Sequence, residues 1–124
     1  MRLKSAIFVS ALVRTANGAG AYAAVRRRGA EEAGAVFVKV STLDGRAALY
    51  GPASQSDFDV SFPADRLFRP LVGPESAEAD SEARMVKEMR FDPDLWLVEI
   101  EDRAGRTFID LVPPDIDRSW PRAP

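Results

Sequence analysis

From Leu95 to Ile100 the side chains alternate directly after a helix-stop signal, and no other stretch restricts the fold as much. Phe91 is followed by Asp92-Pro93, and the residue before proline is driven toward extended geometry, so a preceding helix ends here. Beyond it Trp96, Val98 and Ile100 fall on one face and Leu97, Glu99 and Glu101 on the other. Asp102-Arg103-Ala104-Gly105 has Asp at the first and Gly at the fourth position of a type I turn. The spacing therefore predicts a β-hairpin, with Arg106 to Leu111 returning antiparallel. In that register Asp110 falls opposite Val98 on the core face, unless the strand has already ended or an arginine partners it.

A second hairpin is expected in the first half of the chain. Ala35 to Thr42 places Val36, Val38 and Val40 on one face and Phe37, Lys39 and Ser41 on the other. Asp44-Gly45 suits a two-residue type I′ turn, which pairs Val40 with Leu49 and Thr42 with Ala47. Ala21 to Arg28 reads as a strand, with Ala23 and Val25 inward and Tyr22, Arg26 and Arg28 on the opposite face. Gly29 to Gly34 forms the following turn. Arg66 to Val72 reads as a short strand that Pro70 confines to a sheet edge. Gly51 to Pro63 reads as a loop.

Two helices flank these strands. Ser5 to about Ala16 carries Ile7, Phe8, Ala11, Leu12 and Thr15 on one face, and Asn17-Gly18-Ala19-Gly20 is a C-terminal stop. Its opening, Met1 to Lys4 before the apolar run Ala6 to Val13, loosely resembles a signal peptide, but Arg14 closes the run early and the core-helix reading is preferred. Pro74 to Arg90 is the second helix, with acids in its N-terminal half and Arg84, Lys87 and Arg90 in its C-terminal half, as the helix dipole favours. Ala79, Ala83, Val86 and the stems of Met89 and Arg90 form its apolar stripe.

Composition narrows the chemistry. With 124 residues and nearly half of them hydrophobic, the chain builds one ordinary core. There is no cysteine and no histidine, which excludes thiol catalysis, disulfides, Cys/His zinc sites and histidine-based triads. A cysteine-free chain fits the cytoplasm. No stretch approaches the ~20 apolar residues of a membrane span, so no membrane partner is expected. Net charge is −2, split as +5 over residues 1–51 and −7 over 52–124. That arrangement leaves either two opposed patches or mutual neutralisation.

Gly18-Ala19-Gly20, Arg27-Arg28-Gly29, Gly34 to Val40, Leu43-Asp44-Gly45, Leu49 to Pro52 and Phe91 to Arg103 together resemble an uncharacterised bacterial family, domain of unknown function 1491. The resemblance covers about residues 2 to 110 and lies in the order and spacing of these blocks. It implies a small bacterial cytoplasmic protein and carries over no catalytic residue.

Two clusters could carry chemistry. Asp92, Asp94, Glu99, Glu101, Asp102 and Asp110 could supply hard oxygen ligands to a divalent metal, or a carboxylate pair for acid–base work. Glu99 and Glu101 share a strand face about 7 Å apart, at ~3.3 Å rise per residue. The alternative is a solvated strand face plus ordinary turn and helix-stop aspartates. Arg26, Arg27 and Arg28, near Arg2, Lys4, Arg14 and Lys39, could grip phosphates, with Tyr22 available for stacking. Against that, Arg26 and Arg28 can pair with Glu99 and Glu101 across the sheet or with Glu31 and Glu32, and no RNA-binding signature accompanies them. Nucleic acid is therefore not the expected partner. Trp96 reads as a core anchor and Trp120 as a partner anchor in the tail.

The expected architecture is α+β: a single domain over residues 1–112, an antiparallel sheet of about four to six strands, and two helices on one face. A proline-rich tail spans 113–124. The core should contain Phe8, Leu12, Val25, Val36, Val38, Val40, Leu49, Val86, Trp96, Val98, Ile100 and Phe108. The functional expectation is a non-catalytic module that self-associates or binds a protein through a sheet edge or the tail, with no cofactor. A metal-dependent hydrolase and a phosphate-binding protein are the alternatives.

Overall fold

A computed structural model describes residues 3–53 and 66–112. The expected tail and its Trp120, and most of the loop after Gly51, lie outside the described residues. Two helices and six strands follow in the order α1 (Ser5–Gly18), β1 (Tyr22–Arg27), β2 (Val36–Ser41), β3 (Ala47–Pro52), β4 (Leu67–Val72), α2 (Glu78–Phe91), β5 (Trp96–Glu101) and β6 (Asp110–Leu111). The strands form one sheet in the order β1-β5-β2-β3-β4-β6.

The sheet is mixed rather than purely antiparallel. β5 runs parallel to β2 and antiparallel to β1, so it inserts between the first two strands of the chain. The predicted hairpin at residues 95–111 does not form, because both edges of β5 are already taken. The Asp102 turn is present, with the Gly105 amide donating to the Asp102 carbonyl at 2.9 Å and Gly105 at φ 74°. The chain beyond it crosses to the opposite sheet edge, where Asp110 and Leu111 pair in parallel with Leu67 and Phe68. Asp110 is therefore exposed and nowhere near Val98.

The loop from Arg28 to Ala35 must span the strand inserted between β1 and β2, and its glycines allow the crossing. The Ala30 amide donates to the Asp94 carbonyl at 2.8 Å, and the Trp96 indole N–H donates to the Ala30 carbonyl at 2.8 Å. A Cβ on Gly29 or Gly34 would collide with the Asp94 backbone. The same loop holds the start of α1: the carbonyls of Glu32 and Glu31 accept from the Ser5 and Ala6 amides at 3.0 and 2.9 Å, satisfying donors that every helix start leaves open.

The helices cover opposite faces of the sheet, not one face. On the α1 side lie Val9, Leu12, Ala16, Val36, Val38, Val40, Trp96, Val98 and Ile100. On the α2 side lie Phe37, Leu49, Met85, Leu95 and Leu97. A strand buried on both faces needs apolar residues at both parities, and Val36–Val38 and Leu95–Val98 are such runs. Val38 and Trp96 do share a core, as expected. Val25 and Val86 do not belong to it; both are largely exposed.

The helix boundaries agree better than their faces. α1 buries Ser5, Val9, Leu12 and Ala16, while Ile7, Ala11 and Thr15 point to solvent. α2 starts at Glu78 because Pro74 sits in a turn, and it buries Ser81 and Met85 while Ala79, Ala83 and Val86 face outward. In the β2–β3 hairpin, Thr42 and Arg46 close a three-residue turn with Leu43 at φ 65° and Gly45 at φ 87°. Its extra residue slips the register by one. Val40 faces Ala48, Lys39 faces Leu49 and Ser41 faces Ala47, which sends Leu49 to the α2 side and Tyr50 to the α1 side.

Candidate functional site

The sheet face beneath α2 is polar at its centre. Lys39, only 2 % exposed, projects from β2 among apolar neighbours. Its ammonium donates to Glu78 at 2.7 Å and to Glu82 at 2.5 Å, and lies 3.4 Å from Glu99 on β5. Glu78 and Glu82 are one helical turn apart, so both reach the same cation. Arg26 on β1 closes the network, bonding both oxygens of Glu82 at 2.6 and 3.1 Å and Glu99 at 3.2 Å. Two cations and three carboxylates thus tie four elements together, β1, β2, β5 and α2.

Protonation states follow from this geometry. The Arg26 hydrogen bonds and those of Lys39 outweigh burial and hold the Glu82 carboxyl at about 2. Burial opposes the charge on Lys39, but its bonds to Glu78 and Glu82 prevail and its pKa lies above the usual lysine value. At neutral pH Glu82 has no proton to give and Lys39 no lone pair to attack with. The cluster can orient α2; neither group is poised for acid–base or Schiff-base chemistry.

The acidic residues singled out from sequence are not brought together. Glu99 belongs to the network above. Glu101 is opposite Tyr22 on one side and Ser41 on the other. Asp92 accepts from the Asp94 amide at 3.0 Å in the helix-stop turn. Asp102 is held by the side chain and amide of Arg106 at 2.8–3.0 Å, which lowers its pKa to about 2. Among the described residues, no group of three or more acids converges as metal ligands would.

The arginine triplet is split by the sheet. β1 slips its register between Val25 and Arg27, leaving Arg26 as the extra residue of a bulge. Arg26 and Arg27 therefore both turn toward the α2 side, where Arg27 donates to the Pro93 carbonyl at 2.8 Å. Arg28 emerges on the α1 side instead, its guanidinium 5.1 Å above the Trp96 ring. There it borders an open groove of about 250 Å³, lined by Ala6, Val9, Ser10, Val13, Val25 and Trp96.

β1 is the outer strand beside this groove, and its edge is partly stoppered. Asn17, from the last turn of α1, accepts from the Ala23 amide at 2.8 Å and donates to the Ala23 carbonyl at 3.1 Å. One side chain thus occupies both backbone groups that a neighbouring strand would use. In the sequence Asn17 shows only as part of a helix stop, and Lys39 shares the strand face of Phe37 and Ser41. The readable signals were a lone lysine inside an apolar strand and the Glu78/Glu82 spacing.

These features define a mixed α+β domain whose polar clusters are internally paired. The chain belongs to the family described as protein of unknown function (DUF1491), whose model matches residues 3–110. It is similar to protein Atu0922 from A. tumefaciens, known as a solution structure, at 44 % identity over 99 % of this chain and 100 % of that one, with a TM-score of 0.76. The crystal structure of a DUF1491 family protein from Caulobacter crescentus CB15 matches at 38 % identity and a TM-score of 0.74, covering 90 % of this chain and 98 % of that one. An NMR structure of a DUF1491 family protein from the same organism gives 40 % identity and a TM-score of 0.73, over 90 % of this chain and 97 % of that one. No curated protein matches. Among the described residues, no helix is long and apolar enough to cross a membrane.

Proposed function

We propose that this protein is a non-catalytic interaction module that works by presenting a surface to another macromolecule. The observation that carries this reading is the internal neutralisation of its charged groups: Lys39, Arg26, Glu78, Glu82 and Glu99 satisfy one another, and Asp102 is satisfied by Arg106. General acid–base and nucleophilic catalysis need a group with a matched pKa facing a substrate, and these groups face each other. The α1–β1 side supports the reading from the opposite direction, because apolar side chains and an arginine line an open groove there. A cysteine-free chain suits a reducing compartment, and the reading takes the cytoplasm as its setting.

Light scattering after size exclusion, together with affinity capture using the whole chain, tests the proposal. A concentration-dependent assembly or a reproducible stoichiometric partner is expected. A strict monomer that retains no partner overturns it.

A further inference from the structure

The groove between α1 and β1 combines open apolar area with cations. Ile7 is 52 % exposed and Val25 37 % exposed, and Leu3 continues the same helical row. Arg14 follows Ser10 by one turn of α1, and Arg28 lies across the groove over Trp96. Neither arginine has an acidic partner among the described residues. α1 itself contains no Asp or Glu. At its N-terminal end, Glu32 faces Lys4 at 3.9 Å.

Three arguments select the occupant. The groove, about 250 Å³ and open, falls below the roughly 300–1,000 Å³ of pockets that enclose small molecules, so a row of side chains fits better than an engulfed ligand. An added strand is obstructed, because Asn17 occupies the outward backbone groups of Ala23 and the bulge at Arg26 distorts the edge beyond it. A second copy placed face to face sets Arg14 and Lys4 against the same cations of its mate, which costs rather than gains energy.

We propose that the groove lined by Ala6, Ser10, Val25, Arg28 and Trp96 docks an amphipathic helix of a partner protein, with apolar side chains in the groove and carboxylates on Arg14 and Arg28. The proposal rests on the interaction-module reading and names its partner's chemistry. Helix-in-groove recognition supplies the apolar anchors, and the two guanidiniums select the charge of the flanks.

The test titrates the isotope-labelled full chain with a short amphipathic peptide built of Leu and Glu, and separately with its Leu–Lys counterpart. The acidic peptide should shift the amides of Ser10, Val25 and Arg28 and the Trp96 indole, with affinity falling as salt rises. Arg14→Glu should weaken it, and Arg14→Glu with Arg28→Glu should reduce affinity at least about tenfold and shift preference to the Leu–Lys peptide, as charge reversal at paired contacts does. Arg14 is exposed, so its variant reports even where the double variant fails to fold. Equal binding of both peptides, shifts mapping to α2, or no shifts at all overturn the proposal. So does self-association through this face that Ile7→Asp abolishes. A captured partner still retained by Arg14→Glu, Arg28→Glu chain overturns the groove while leaving the module reading intact, whereas absence of any partner or assembly removes the module reading itself.

Discussion

Lys39 shows how one residue can decide the role of a whole face. Burying an ammonium is costly unless several acceptors meet it, and Glu78, Glu82 and Glu99 do so. The alternation of β2 already assigns Lys39 to the face of Phe37, but only α2's position reveals that this face is covered. Lys39→Met is expected to leave Glu78 without its cation and Glu82 and Glu99 with Arg26 alone, and to cost about 3 kcal/mol, the low end for breaking a buried pair because the glutamates are partly solvated. Urea denaturation measures it; an unchanged midpoint would show that the lysine is dispensable. The acid side gives a second expectation. Glu82 is depressed from its ordinary 4.5 to about 2, so its stabilisation is complete above the unfolded-state value and drains away as pH falls from about 4.5 toward 2. Asp102 acts in the same direction over a slightly lower window. Lys39 and Arg26 are raised, so their contributions persist at neutral pH and disappear only in strong alkali. Stability measured from pH 6 down to about 2 should therefore fall, and Glu82→Gln should flatten the decline.

At the scale of elements, the sequence pattern located both helices and placed Phe8, Leu12 and Met89 inward as observed, but it rotated the rest of each face outward, and serines explain why. α1 packs Ser5 inward, where its hydroxyl donates to the Gly34 carbonyl at 2.5 Å and accepts from Arg66 at 3.1 Å. α2 packs Ser81 inward against the Ala47 carbonyl at 3.4 Å. A periodicity built on hydrophobic residues counts serine as outward and so rotates the face it predicts. The stripe left outside on α2, Ala79, Ala83 and Val86, ends near Phe91, which is 86 % exposed. The hairpin slip has an equally local cause: Asp44-Gly45 was read as a two-residue turn, but Leu43 also takes a positive φ and the loop grows by one. The edge cap provides this scale's prediction. Asn17→Ala frees the amide and carbonyl of Ala23 and should cost about 1–2 kcal/mol for two lost hydrogen bonds. Hydrogen exchange at the Ala23 amide should accelerate, and unaltered exchange would show the cap to be incidental.

For the whole molecule, the consequential fact is that β5, some seventy residues further along the chain than β1, occupies the gap between β1 and β2. Those two strands do not pair with each other, and among the described residues β1 pairs with no strand but β5. A chain truncated after Phe91 is therefore expected to lack a stable sheet, with far-UV circular dichroism reporting loss of strand signal; a cooperative melt of that fragment would contradict it. Five of the strands, the turn positions, the helix C-terminal stops and the family were legible along the chain, because alternation, Pro-Gly punctuation and block spacing are local properties, whereas the expected strand from Arg106 shrinks to Asp110–Leu111 and α2 starts at Glu78. Strand order, the placement of helices on opposite faces and the partners of Lys39, Arg26 and Arg28 came only from the tertiary structure. Each depends on which surfaces meet across long separations, and an apolar run such as Leu95–Val98 states that it must be covered twice without naming what covers it.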